Sequence, residues 1–333
     1  MNSLLKSFPN ANQAQIPTPV RALTTIGGSV YIKEDNLSGT IYGGNKIRKL
    51  DFLLGEALAE EQKSVITYGA AGSNHALATA VCCRQLGLKA ISILAPQQTS
   101  EHVRKNILMG HAVGAELHLC SDYTHFPALT KQLSIRCTAE DGIAPYIIPA
   151  GGTNATGALG FVNAAFELAE QIQPDVIYLP LGTGGTMAGL LIGLKLAGLT
   201  TRIEAIRVVD PLFRNAIHIK QLCTELCRKL NVDVEITDAD ITIRNDFYGE
   251  DYGIPTPAGR AAVELFQSQE NIPLENTYTG KTAAALLHDL HSGKLDGQTV
   301  LYWNTLNSRD FSAQIANIDY RNLSPAFHPY FEL

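Results

Sequence analysis

The chain has 333 residues, of which 45% are hydrophobic and 17% charged, and it carries a formal net charge of −6. With a mean hydropathy of +0.02, this describes a globular protein able to bury a sizeable core and excludes a disordered or fibrous chain. No run of Lys or Arg supplies the basic footprint of a nucleic-acid binder, so a small-molecule ligand is expected instead.

Residues 1–19 are polar and show no basic stretch followed by an apolar one, so a cytoplasmic protein is expected. No apolar stretch reaches the roughly 18 residues that a membrane span needs, and no membrane partner is expected. Cys82 and Cys83 are adjacent, while Cys120, Cys137, Cys223 and Cys227 form no CxxC pair. Neither a metal site nor a disulfide framework follows from that spacing, and reduced, mostly buried thiols are expected.

From Ser29 onward, short apolar runs rich in β-branched residues alternate with longer helical ones. That alternation predicts an α/β protein with mostly parallel strands and crossover helices. Strands are predicted at Val30–Lys33, Val65–Tyr68, Ala90–Leu94, Glu116–Leu119, Tyr146–Pro149, Val176–Leu181, Ile203–Val209 and Val300–Trp303. A helix over Lys46–Glu60 puts Leu50, Leu53, Leu54, Ala57 and Leu58 on one face, and a second is predicted over Asn74–Leu86. The length suggests two lobes, although no Pro-, Gly- or Ser-rich linker marks their boundary.

Open sheets of this kind bind ligands beyond the carboxyl ends of their strands, and the unusual residues fall in such loops. The loop after the first predicted strand ends in Gly43-Gly44-Asn45-Lys46. At a helix start the partial positive charge disfavours an ammonium and favours a neutral, nucleophilic amine. Gly43 and Gly44 allow close backbone approach to a flat ligand, and Asn45 is a candidate helix cap. Arg48 and Lys49 read as solvated or structural.

The next loop, Thr67-Tyr-Gly-Ala-Ala-Gly-Ser73-Asn74-His75, resembles an anion-binding turn. Ser73 offers a hydroxyl to a carboxylate and Asn74 an amide to a phenolate. The competing reading is a helix cap with a packed histidine. Gly182-Thr183-Gly184-Gly185-Thr186, between a strand and a helix, fits a phosphate through backbone N–H groups and two hydroxyls. A dinucleotide loop would read Gly-x-Gly-x-x-Gly near the first strand, with an acidic residue about twenty positions on. Here the loop is mid-chain and followed by Arg202 and Glu204, so an NAD-binding oxidoreductase is the remote alternative. Tyr252 and Tyr278 sit in turn-rich loops and read either as substrate-facing hydroxyls or as core aromatics. Lys281 competes with Lys46 but lacks the paired glycines.

In order, Gly-Gly-Asn-Lys46-x-Arg-Lys-Leu, Ser73-Asn74-His75, Gly182-Thr-Gly-Gly-Thr186, Tyr-Gly-Ile-Pro and Tyr278-Thr279-Gly-Lys resemble the D-cysteine desulfhydrase and 1-aminocyclopropane-1-carboxylate deaminase family, from about Val30 to Thr305. The resemblance implies the tryptophan-synthase-β-like pyridoxal-phosphate fold, with two open, twisted, mostly parallel α/β lobes and the cofactor in the cleft between them. It divides the chain into a large cofactor-binding domain, 1–48 with 153–333, and a small α/β domain, 49–152. A homodimer is also implied.

It further implies that Lys46 carries pyridoxal 5'-phosphate as a Schiff base and later moves a proton. Asn74 meets the cofactor's 3'-oxygen, the Gly182–Thr186 backbone cradles its phosphate, Thr305 meets the pyridine nitrogen, and Asn45 counts among the cofactor-binding residues. Ser73 grips the substrate carboxylate, Tyr252 and Tyr278 line the substrate face, and His75 is a polar neighbour. Deaminases of the family have Glu where this chain has Thr279, which matches the desulfhydrase branch. The expected reaction is β-elimination on a small amino acid, D-cysteine giving pyruvate, ammonia and hydrogen sulfide. Ring-opening deamination, or another amino-acid lyase or deaminase of the fold, is the alternative. The chain departs from the family at Gly72 and Leu77, and at Thr305-Leu306-Asn307-Ser308, where a Thr-Gly-Gly-Thr turn is usual.

Overall fold

Continuous apolar runs bounded by turn residues become strands buried on both faces, and the longer stretches between them become helices. A computed structural model of the chain describes residues 2–332. Its first half comprises β1 (Val20–Ala22), β2 (Ser29–Glu34), α1 (Asn45–Ala59), β3 (Ser64–Ala70), α2 (Asn74–Leu86), β4 (Lys89–Ala95), α3 (Glu101–Ala112), β5 (Glu116–Leu119), α4 (Phe126–Asp141) and β6 (Tyr146–Ile148). There follow α5 (Ala155–Ala169), β7 (Val176–Leu181), α6 (Gly185–Leu196), β8 (Arg202–Arg207), α7 (Ala216–Leu230), β9 (Thr242–Arg244), α8 (Pro257–Glu270), α9 (Thr279–His291) and β10 (Thr299–Asn304). Every predicted strand is present, and β5 and β7 have the predicted bounds. The short β1 and β9 were not anticipated.

The strands form two sheets, ordered β1-β2-β10-β7-β8-β9 and β5-β4-β3-β6. All pairings are parallel except that of β1 with β2. The chain is thus an α/β protein of mostly parallel sheets, as its sequence leads one to expect. Among the described residues no helix is long and apolar enough to cross a membrane. All six cysteines are free, and Cys82, Cys83, Cys137 and Cys223 are buried.

Two compact units carry these sheets. The first comprises the N-terminal residues up to Ser7, Ala14–Lys49 and Thr153–Ser308. Its core joins Val30, Ile32, Val176, Tyr178, Val300 and Tyr302 of the sheet to Phe266 and the Ala283–Leu286 face of α9. Helices α5 and α6 approach closely because Gly189 has no side chain: a Cβ there would meet the Ala158 carbonyl at 2.4 Å.

The second unit comprises Phe8–Gln13, Leu50–Gly152 and the C-terminal segment from Arg309. Ile66, Ile91, Ile93, Leu133 and Cys137 form one of its clusters. The C-terminal segment packs here rather than with 153–308 because Leu323, Phe327 and Tyr330 bury against Ala71, Leu94, Val103 and Ile107. Residues 8–13 follow because Ala11 and Gln13 N–H groups donate to Asp51, to its carbonyl and its carboxylate respectively.

Candidate active site

In the first unit, β2, β10 and β7 are adjacent parallel strands, so the loops leaving their carboxyl ends are neighbours at one edge of the sheet. They carry Asn45 and Lys46, Thr305, and Gly182–Thr186. Lys46 is the second residue of α1, and its Nζ donates to Asn45 Oδ1 at 3.0 Å. Burial of its amine lowers the pKa to about 8, so about a tenth of it is neutral at pH 7. Contrary to the cap expected from sequence, the Asn45 side chain does not cap the helix; its Nδ2 donates instead to Thr186 Oγ1 at 3.2 Å. One amide therefore joins the lysine to the glycine-rich turn.

That turn suits an anion. Gly184 adopts a left-handed φ of +89° and precedes α6, whose first-turn N–H groups point out of the helix start. A Cβ on Gly185 would stand 2.9 Å from Lys49 Nζ and 3.0 Å from Thr153 Oγ1. Thr153 and Thr183 hydroxyls lie 2.6 Å apart. The sequence reading missed Lys49 and Thr153. Lys49 is only 1% exposed, not solvated, and burial followed by repulsion from Lys46 pushes its pKa well down. An anion beside it would relieve that cost. A buried lysine whose charged form an anion would favour, two threonine hydroxyls and a crowded helix start fit a phosphate, and the desolvated Lys46 amine fits an aldehyde.

Arg48 is likewise buried. Its guanidinium spans Asp35, at 2.8–3.0 Å, and Glu167, at 2.9 Å. Lys33 pairs with the same Glu167, while Asp35 also accepts from Trp303 Nε1 at 2.7 Å and Thr18 Oγ1 at 2.9 Å. Burial works against the Glu167 carboxylate, yet Arg48 and Lys33 outweigh it and hold its pKa at about 2. Two cations and two carboxylates thus neutralise each other beneath the Lys46 loop. The backbone is fixed there too, since a Cβ on Gly160 would stand 2.1 Å from the Arg48 carbonyl.

Tyr252 and Tyr278 meet hydroxyl to hydroxyl at 2.7 Å, with rings edge to face. Tyr278 borders the glycine-rich turn, its Cε1 being 3.6 Å from where a Cβ on Gly182 would lie. Burial, then the Tyr252 hydroxyl, raises its pKa well above the usual phenol range, so it is a neutral donor or acceptor. Thr279 turns away into its own helix start, exchanging hydrogen bonds with Glu275. Lys281 Nζ donates to the carbonyls of Tyr248 and Asp251 at 2.5 and 3.4 Å. It ties down the loop that carries Tyr252.

Ser73, Asn74 and His75 belong to the second unit, at the carboxyl end of β3. Ser73 is the N-cap of α2, its Oγ accepting from Ala76 N–H at 3.2 Å. The capping reading is therefore correct, and the hydroxyl proton is still available to a second partner. Asn74 Oδ1 accepts from Asn106 Nδ2 at 3.1 Å, and the same Nδ2 donates to the Gly72 carbonyl at 2.9 Å. A carbonyl can only accept, so the Asn106 amide orientation is fixed, and Asn74 turns its own NH2 away from Asn106. His75 is 3% exposed and lies 3.0 Å from Thr67 Oγ1, which donates to the Ile148 carbonyl at 3.1 Å. Its Nε2 is then the donor to Thr67. Its ring sits under Gly152, so the packing anticipated for it is present.

Comparison with known proteins agrees with this geometry. The profile of the family described as pyridoxal-phosphate dependent enzyme matches residues 11–305. The D-cysteine desulfhydrase of Serratia proteamaculans (strain 568) is 33% identical over 296 residues, covering 85% of this chain and 88% of that protein. That of Salmonella newport (strain SL254) is 33% identical over 315 residues, covering 90% and 94%. Among solved structures, an ACC deaminase homologue is similar with a TM-score of 0.82 and 31% identity, over 94% of this chain and 97% of its own.

Proposed function

The chain belongs to the family of pyridoxal-phosphate dependent enzymes, and from that premise we propose that it is a lyase acting on a small amino acid, with D-cysteine as substrate. Water is consumed and pyruvate, ammonia and hydrogen sulfide are released. One observation carries the reading. A desolvated amine on Lys46, with a pKa of about 8, is joined through Asn45 to a glycine-rich helix start backed by the buried side chain of Lys49. The similarity to two D-cysteine desulfhydrases supplies the substrate.

Lys46 would hold the cofactor through its ε-amine, the Gly182–Thr186 segment and Lys49 its phosphate, and Thr305 the pyridine side. Bound there, pyridoxal phosphate supplies an electron sink that makes the substrate's α-proton removable. The neutral Lys46 amine then serves as the base for that proton. Tyr278, kept neutral by burial, pairs with the Tyr252 hydroxyl to orient the substrate and exchange a proton at its β-substituent. Ser73 is assigned to the substrate carboxylate, Asn74 to the cofactor's phenolic oxygen and His75 to support of that turn. The resemblance of the sequence also favours a homodimer working in the cytoplasm.

Similarity to the ACC deaminase homologue favours a second reading, ring-opening deamination. The Thr279 hydroxyl is engaged with Glu275, leaving no carboxylate at that position for ring chemistry. The test is an absorption spectrum of the purified protein with and without D-cysteine, alongside Lys46→Ala. Visible absorbance lost in the variant, and sulfide released by the wild type, is the expected result. A wild type that takes up no pyridoxal phosphate overturns the assignment, while ammonia from 1-aminocyclopropane-1-carboxylate without sulfide from D-cysteine selects the second reading.

A further inference from the structure

The three residues before Lys46 each have their backbone N–H bound. Gly44 donates to the Asp35 carbonyl at 2.7 Å and Asn45 to the Thr305 carbonyl at 3.3 Å. Gly43 donates to Asn307 Oδ1 at 2.7 Å. The first two acceptors are main-chain carbonyls, fixed by where β2 and β10 end. Only the third is a side chain, and it lies 264 residues away in sequence.

The two segments are also in tight contact. Gly44 has a left-handed φ of +88°, and a Cβ on it would stand 2.7 Å from the Thr305 carbonyl and 2.9 Å from that of Leu306. Asn36 continues the seam, donating to Ser308 Oγ at 3.4 Å and accepting from Asn304 Nδ2 at 3.3 Å. Asn304 Oδ1 in turn accepts from Leu306 N–H at 3.2 Å. A glycine at position 307 would have no side-chain acceptor to offer Gly43.

We propose that Asn307 is a positioning residue for Lys46: by accepting from Gly43 it fixes the glycine turn and keeps the Lys46 amine oriented towards Asn45 and out of water. The proposal rests on the reading above, in which Lys46 holds pyridoxal phosphate. The Asn307 bond thereby ties the glycines next to Lys46 to the loop that carries Thr305. Loosening it lets the amine hydrate, protonate more readily and release the cofactor faster.

The experiment uses the full chain loaded with pyridoxal phosphate, comparing wild type with Asn307→Ala, Asn307→Asp and Lys46→Ala. Retention of the visible absorbance during dialysis is measured, followed by the rate of absorbance growth when the cofactor is added back across a pH series. Asn307→Ala is expected to lose cofactor about fivefold faster, corresponding to roughly 1 kcal/mol for one hydrogen bond. The pH midpoint of its reloading rises from near 8 towards the ordinary lysine range, a shift that a uniform loss of stability does not produce. Asn307→Asp keeps an acceptor at the same reach and retains cofactor within about twofold of wild type. The proposal is overturned if Asn307→Ala matches wild type in retention and midpoint, or if Asn307→Asp leaks as fast as Asn307→Ala. Failure of the underlying reading looks different: Lys46→Ala would keep the visible absorbance.

Discussion

Two polar turns each open a helix, one in each unit, and they differ in what lies beneath them. The turn before Lys46 in the first unit stands on buried charge, with Asp35, Arg48, Glu167 and Lys33 beneath it. The turn before Asn74 in the second unit is held by neutral side chains: Asn106 on the Gly72 carbonyl, and Gln97, which accepts from Gly72 N–H at 3.0 Å. Removing one partner of a buried neutral hydrogen bond costs less than removing one partner of a buried ion pair, which strips an ion of the interaction that offsets its desolvation. The first turn should therefore be the more brittle and the more sensitive to pH.

The largest expected effect breaks the charged side. Arg48→Met leaves Asp35 and Glu167 buried without the guanidinium and should cost about 3–5 kcal/mol in urea unfolding of the cofactor-free protein. Asn106→Leu, its counterpart in the second unit, should cost about 1–3 kcal/mol, the loss of donors to two acceptors. Equal costs would mean that the contrast between the turns has no energetic content.

Acid titration sharpens the same contrast. The Glu167 pKa falls from 4.5 to about 2 on folding. Its contribution is therefore fully present above about pH 4.5 and is lost as pH falls towards 2. The linked amount is about 3 kcal/mol at 1.36 kcal/mol per unit. Glu167→Gln should be less stable at neutral pH and should flatten the acid limb of the stability curve. An unchanged limb would place the acid sensitivity elsewhere.

How much of this was legible in the sequence depends on how far each cause lies along the chain. The strand Val176–Leu181 could be read to the residue because it is a continuous apolar run, buried on both faces. By contrast β1, Val-Arg-Ala, and β9, Thr-Ile-Arg, are three-residue edge strands with no such run. Lys46 and the glycine-rich turn stood out because a helix start after paired glycines is a local pattern. Arg48 and Lys49 gave no such signal. Their burial is caused by Asp35, Glu167, Thr153 and Gly185, which no periodicity in α1 reveals. Asn307 is the extreme case, since nothing in Thr-Leu-Asn-Ser indicates a partner in another loop.

Gly185→Ala tests the anion site apart from the fold. The new methyl would meet Lys49 Nζ, the flexible end of a side chain, and Thr153 Oγ1. The apoprotein should lose little stability, because alanine in a helix regains up to about 1 kcal/mol over glycine. Lys49 must nevertheless move from the turn, and affinity for pyridoxal phosphate should fall about tenfold or more, read by absorbance titration. Full retention of affinity would remove Lys49 from the phosphate site.

The smallest expected effect separates two roles of one atom. Ser73 Oγ caps α2, and the same hydroxyl is assigned to the substrate carboxylate. Ser73→Ala removes both and should cost about 1 kcal/mol of stability together with a raised KM. Ser73→Asp keeps an excellent cap, so thermal unfolding of the apoprotein should return to the wild-type range. It also sets a carboxylate where a substrate carboxylate is to bind, so KM should rise further than in Ser73→Ala while kcat at saturation changes less. If Ser73→Asp restores both stability and KM, Ser73 is a cap alone, and the substrate carboxylate must be held elsewhere.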